Sequence, residues 1–103
     1  MNIVIVGTGY VGLVTGVGFA EQGHTVSFID LDSSKIEKLK NKQLPFFEPD
    51  LDTYFSKKEN FNRMSFHSSY NSLNWDESEI VFICVQTPNN IETNSVDTKF
   101  LES

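Results

Sequence analysis

A chain of 103 residues has room for one domain with one core, towards the small end for independent stability. The net charge of −6, with its lysines scattered, argues against a nucleic-acid or anionic-membrane surface, and no apolar run approaches the length of a membrane span. The single cysteine, Cys84, excludes an internal disulfide framework, and Met1 leads into an apolar strand with no basic leader, so a cytoplasmic protein is expected.

The first thirty residues organise the rest. Met1 to Val6 is a short run of mostly β-branched residues, the pattern of a strand buried on both faces of a parallel sheet. Gly7-Thr8-Gly9-Tyr10-Val11-Gly12 follows at once, and Tyr10 to Gln22 reads as a helix stopped by Gly23 in a left-handed cap. Gly16 and Gly18 lower helix propensity and are expected to allow close contact with the sheet or a neighbour. A second strand, Thr25 to Ile29, ends in Asp30. A lone glycine motif is weak, but strand, glycine turn, helix and terminal acid occur here in order, which decides for a dinucleotide cradle. Gly7 would permit the sharp turn, Gly9 the approach of a pyrophosphate, and Gly12 the close packing of helix on strand. Asp30 stands where a ribose-binding carboxylate should fall, and with no arginine beside it a 2′-phosphate would be repelled, which favours NAD over NADP.

Asp32-Ser33-Ser34 caps a second predicted helix, Lys35 to about Lys42, with Ile36 and Leu39 as its buried face and Lys38, Lys40 and Lys42 complementing the dipole. Lys35 lies in the first turn, where a cation is mildly unfavourable, and is expected to reach the adenosine ribose or a nearby phosphate. In Leu44-Pro45-Phe46-Phe47-Glu48-Pro49-Asp50-Leu51, two prolines bracket an aromatic pair, and Pro49 opens a helix running to about Lys57. The phenylalanines either plug the core edge or line a ligand cleft; composition leaves both open. Lys57 to Asn62 reads as a polar, mobile stretch, Met64 to His67 as a third strand, and Ser68 to Asp76 as a crossover with one helical turn packing Tyr70, Leu73 and Trp75. Glu79 to Val85 is the clearest doubly buried strand, with Cys84 a small apolar residue inside it. Thr87 follows, expected to face the Gly7 turn at the point where strand order reverses. A helix start near Asp97, with Phe100 and Leu101 as first core contacts, is too short to stand alone, so the reading expects a truncated chain.

These elements predict an α/β fold, a Rossmann-type doubly wound parallel sheet of strand order 3-2-1-4, with residues 1–103 forming one dinucleotide-binding domain incomplete at its C-terminal end. The glycine block, Ile29-Asp30 with Lys35-Ile36 behind it, the Leu44–Leu51 insertion and Cys84-Val85-Gln86-Thr87-Pro88 resemble the opening of the nucleotide-sugar dehydrogenases. Gln86 and Asp50 depart from the family's usual residues at their positions. The resemblance implies a two-step, NAD-linked oxidation of a sugar's C6 alcohol to a carboxylate through a cysteine-bound intermediate. It implies that Gly7, Gly9, Tyr10, Val11 and Gly12 hold the pyrophosphate, that Asp30 and Lys35 hold the adenosine ribose, and that Thr87 contacts the cofactor. The family's catalytic residues match no position in this chain, no metal is implied, and the partners would be a nucleotide-sugar substrate and other copies in a homo-oligomer. A stand-alone NAD- or nucleotide-sensing module, which would use a similar glycine turn, is the alternative. The Pro45–Leu51 insertion and the unfinished helix at Asp97 favour the enzyme.

Overall fold

The computed structural model describes residues 1–73 and 75–84. Four strands, β1 (Asn2–Val6), β2 (Thr25–Ile29), β3 (Met64–His67) and β4 (Ile80–Ile83), form one parallel sheet of order β3-β2-β1-β4, as the sequence predicts. β1 pairs with both β2 and β4, so Val6 stands opposite Ile29 on one side and Ile83 on the other. That register brings the C-terminal ends of three strands level. Four helices occur among the described residues: α1 (Tyr10–Glu21), α2 (Ser33–Lys40), α3 (Pro49–Phe55) and α4 (Lys58–Asn62).

Alternation along each strand splits the sheet into unlike faces. Ile3 and Ile5 of β1, Val26 and Phe28 of β2, and Met64 and Phe66 of β3 are all buried in one cluster. Leu13, Val17 and Ala20 of α1, Ile36 and Leu39 of α2, and Leu51 and Phe55 of α3 complete it. Phe28 and Phe66 stack across β2 and β3 with ring centres 5.3 Å apart, and Phe55 meets Phe66 edge-on. Truncating a buried phenylalanine here would cost about 3–5 kcal/mol. Gly16 earns its place in this layer, since a Cβ there would collide with the Phe28 ring. Gly18 does not: a Cβ on it would meet nothing within 4 Å. α1 ends as expected, Gly23 taking φ 99° while Gly23 and His24 donate to the carbonyls of Ala20 and Phe19 at 3.0 and 3.1 Å.

The opposite face is polar at β2 and β3. Ser27 and Ser65 share a hydrogen bond of 3.1 Å, and His67 bonds Ser65 through Nε2 and Ser72 through Nδ1, at 3.0 and 2.9 Å. Burial, reinforced by the Lys40 charge, holds the His67 pKa below its usual value, so the ring is neutral at pH 7. The connection from β3 to β4 supplies Ser72 to this face and contains two short 3₁₀ turns, Tyr70–Ser72 and Trp75–Glu77.

Several expectations need correcting. Lys57 to Asn62 is largely helical: α4 buries Asn60, whose amide donates to Glu21 and to the carbonyl of Tyr54, and Arg63 donates to Ala20 O at 3.1 Å. Lys42 lies beyond α2 at φ 62°, its ammonium 5.0 Å from the centre of the Phe61 ring, and so does not serve the helix dipole. β4 is not doubly buried; Ile80, Val81 and Ile83 are exposed, Ile83 by 64%. Cys84 lies just past β4, half-buried. Tyr70 and Trp75 are exposed rather than packed into the core. Thr87, with Gln86, Pro88 and the helix start expected near Asp97, lies outside the described residues. No described helix is long and apolar enough to cross a membrane.

Candidate functional site

The strand ends open onto a cleft of about 280 Å³ whose walls include Gly7, Thr8, Gly9, Asp30, Lys35 and Tyr70. Its floor is the bend from β1 into α1. Gly7 takes φ 101°, a conformation that side chains disfavour, and its N–H donates to Ile29 O at 2.8 Å, so β2 fixes the bend. α1 then begins with Gly9 as N-cap, which offers no side chain to the first-turn amides, and no acid lies in that turn. The first helical bond runs from Leu13 N–H to Gly9 O at 3.0 Å, so the amides of Tyr10, Val11 and Gly12 precede the ladder. α2 differs: Asp32 Oδ1 accepts from the amides of Ser34 and Lys35 at 3.1 and 3.2 Å. Of these two termini, that of α1 lacks a side-chain cap and is left open to an external anion.

The glycines separate into two kinds. Gly9 has φ −75° and ψ −171°, open to any residue, and a Cβ there would meet no atom of the described residues within 4 Å. Nothing among the described residues demands glycine at this position; the omitted side chain leaves clear the path to the amides, which suits a diphosphate. At Gly12 a Cβ would fall closer than 3.0 Å to Gly7 O and 3.3 Å from Cys84 Cβ, so the protein itself requires the glycine.

Asp30 also lines the cleft. Its Oδ2 accepts from the Thr8 amide at 3.0 Å and the Thr8 hydroxyl at 2.7 Å, and its Oδ1 accepts from the Asp32 amide at 3.0 Å. Lys35 Nζ stands 3.8 Å from Oδ2. Burial pushes the carboxyl pKa up, but the Thr8 hydroxyl, the two amides and the Lys35 charge outweigh it and bring the pKa below the ordinary aspartate value. Asp30 is therefore ionised at neutral pH. Since Oδ2 already takes two hydrogen bonds and Oδ1 one, Oδ1 has the freer lone pair to accept a ribose hydroxyl.

Of the residues expected from sequence, Gly7, Gly9, Asp30 and Lys35 converge on this cleft. Tyr10 and Val11 lie exposed on the first turn of α1, outside its walls, with the Tyr10 ring 5.6 Å from that of Phe46. Gly12 is buried beneath, against Gly7 and Cys84. Cys84 lines the cleft, but burial pushes its thiol pKa up, away from thiolate character. Sequence reasoning did not place Thr8 or Tyr70 at this cleft. Thr8 carried a signal, a hydroxyl inside the glycine turn facing the strand that bears the acid; Tyr70 carried none, because its spacing also fits a core residue. The Leu44–Leu51 segment divides: Leu44 and Phe46 pack against the core, while Phe47 is 92% exposed beside a second, larger cleft of about 570 Å³.

A family model for the NAD-binding domain of the UDP-glucose/GDP-mannose dehydrogenase family matches residues 1–103. The chain is 44% identical over 88 residues to UDP-glucose 6-dehydrogenase YwqF of Bacillus subtilis, covering 85% of this chain and 20% of that protein. Among solved structures it is similar to GDP-mannose dehydrogenase from Pseudomonas aeruginosa, described as a ternary complex, with a TM-score of 0.78 and 30% identity, covering 96% of this chain and 23% of that one. It is also similar to the UDP-N-acetyl-mannosamine dehydrogenase Cap5O from Staphylococcus aureus, with a TM-score of 0.77 and 28% identity, covering 100% of this chain and 25% of that one. The chain spans about a fifth of the length of the curated relative and about a quarter of the solved chains.

Proposed function

Since the chain belongs to the UDP-glucose/GDP-mannose dehydrogenase family, as its NAD-binding domain, we propose that it is the cofactor-holding part of a UDP-glucose 6-dehydrogenase. The reaction would convert UDP-glucose to UDP-glucuronate in two oxidations, with NAD as the hydride acceptor. This chain's residues would bind and orient rather than react. The amides at the start of α1 would receive the diphosphate, with Gly9 leaving room for it. Asp30 would accept from the adenosine ribose through Oδ1, and Lys35 would lend positive charge beside the ribose and phosphate. Thr87 would contact the cofactor at the switch point, and the nucleophile and acids would come from outside these residues.

The observation that carries the reading is the meeting of an uncapped helix terminus and a charged carboxylate across one cleft. Either feature alone is common in α/β proteins. Together they match the diphosphate and the adenosine ribose of an ADP moiety. The 103-residue chain would hold this half and leave the nicotinamide end poorly fixed, so turnover by the chain alone is not expected. Likeness to GDP-mannose and UDP-N-acetyl-mannosamine dehydrogenases keeps a sister substrate as the second reading.

Two measurements test this. Calorimetry on the chain should show NAD and ADP-ribose binding and NADP binding much more weakly; equal binding of NAD and NADP would overturn the role of Asp30. The protein encoded by the intact reading frame should reduce NAD with UDP-glucose in preference to GDP-mannose and UDP-N-acetyl-mannosamine. Reduction with GDP-mannose or UDP-N-acetyl-mannosamine instead would move the assignment to that sister enzyme. A frame that stops near Ser103 would favour the sensing module.

A further inference from the structure

Tyr70 is hard to explain as a structural residue. It is 44% exposed, belongs to no core cluster, and yet is fixed in place. Ser69 Oγ caps its 3₁₀ turn by accepting from the Asn71 amide at 3.2 Å, and the Ser72 hydroxyl donates to Ser69 O at 2.8 Å. Trp75 lies against it, ring centres 6.1 Å apart and planes within 28°, and the indole N–H donates to Tyr70 O at 2.9 Å. Two large aromatic rings are thus stacked at the surface with their mutual geometry set by hydrogen bonds.

Their location gives the stack a purpose. The Asp30 amide donates to His67 O at 3.0 Å, so the connection bearing Tyr70 leaves the sheet beside the acid. Tyr70 lines the same cleft as Gly9 and Asp30, and so does Leu31, an apolar side chain 67% exposed. The cleft therefore brings together an amide cradle, a carboxylate and two exposed apolar side chains. Adenine has broad apolar faces and gains from lying on an aromatic ring.

We propose that Tyr70, backed by Trp75 and faced by Leu31, is the platform on which the adenine base of the cofactor stacks. The proposal rests on the cleft being a dinucleotide site and adds the residues that recognise its base. Stacking of this kind is tolerant of base identity, so Tyr70 would supply affinity while Asp30 supplies discrimination at the ribose.

Trp75 is the only tryptophan in the sequence, so its emission reports on the platform directly. AMP and NAD should change that emission, whereas nicotinamide mononucleotide at equal concentration should not. By calorimetry, Tyr70→Ala and Tyr70→Leu should each weaken AMP and NAD about tenfold, while Tyr70→Phe, which keeps the ring, should stay within about twofold of the parent. The two truncations differ in how well they fill space, so agreement between them separates loss of an aromatic face from loss of packing. If Asp30→Ala weakens AMP and Tyr70→Ala does not, the platform is wrong and the dinucleotide cleft stands. If neither substitution alters AMP or NAD binding, both fail.

Discussion

Alanine at Gly9 and at Gly12 should have opposite consequences, although the two glycines are three residues apart in one motif. At Gly12 the new methyl would sit closer than 3.0 Å to Gly7 O, 3.2 Å from Gly7 C and 3.3 Å from Cys84 Cβ. The first of these is backbone, itself pinned by the 2.8 Å bond from the Gly7 amide to Ile29 O, so it has little room to yield. Relief requires α1 to move off the sheet, which disturbs the packing of Leu13 and Val17; overpacking of this kind costs about 1–3 kcal/mol. At Gly9 the methyl would meet nothing among the described residues within 4 Å, and φ −75° with ψ −171° is open to alanine. Only the weaker capping by alanine remains, roughly 0.5 kcal/mol. Urea unfolding should therefore rank the variants Gly12→Ala well below parent and Gly9→Ala close to it. Calorimetry with NAD should show Gly9→Ala losing about 100-fold in affinity, because the methyl occupies the approach to the amides. Should Gly9→Ala bind NAD like the parent, or unfold as easily as Gly12→Ala, the division between an internal and an external reason for glycine is mistaken.

Thr8→Val keeps the buried shape and removes a hydrogen bond to a charged carboxylate. The loss should be about 1 kcal/mol, below the roughly 1.5–3 for such bonds because Asp30 is partly exposed and water can substitute. The folded pKa of Asp30 is lowered, so its contribution is complete above the ordinary aspartate value of about 3.9 and fades as pH falls through the folded value. The stability gap between parent and Thr8→Val, read by urea titration, should thus be full at pH 7 and narrow below about pH 4; a gap constant with pH would place the loss elsewhere than the carboxylate. Asp30→Ala should weaken NAD and bring NADP affinity up towards it, measured by titrating both cofactors; an unchanged preference would remove Asp30 from the site. In competition against NAD on the 103-residue chain, ADP should displace it at nearly equal concentration, and a much weaker ADP would show that the nicotinamide end is gripped as well.

The fold was legible because its signals are periodic. β2 and β3 coincide with their predicted limits, and α1 differs from its prediction by one residue at its end. Parallel order 3-2-1-4 followed from the glycine motif at β1 and the apolar run at β4. What failed were features that depend on a partner distant in sequence. Asn60 looks like surface, yet Glu21 and Tyr54, brought beside it by α1 and α3, make it a buried polar anchor for α4. Phe46 and Phe47 are adjacent and alike, yet the first packs against the core and meets the Tyr10 ring while the second is exposed. At the cleft, the meeting of Gly7, Asp30 and Lys35 could be read because their positions follow from local chain geometry and charge. Thr8 needed the distance from β1 to β2 across the sheet, and Tyr70 needed the crossover to be placed beside the acid. Neither is written in spacing.

Backbone amide shifts on titration with ADP locate the diphosphate on the protein. Gly9, Tyr10 and Val11 at the start of α1 should move furthest, with Thr8 and Asp30 following, while the larger cleft beside Phe47 stays unaffected. Shifts concentrated at Phe46 to Thr53, with the α1 terminus silent, would contradict that placement.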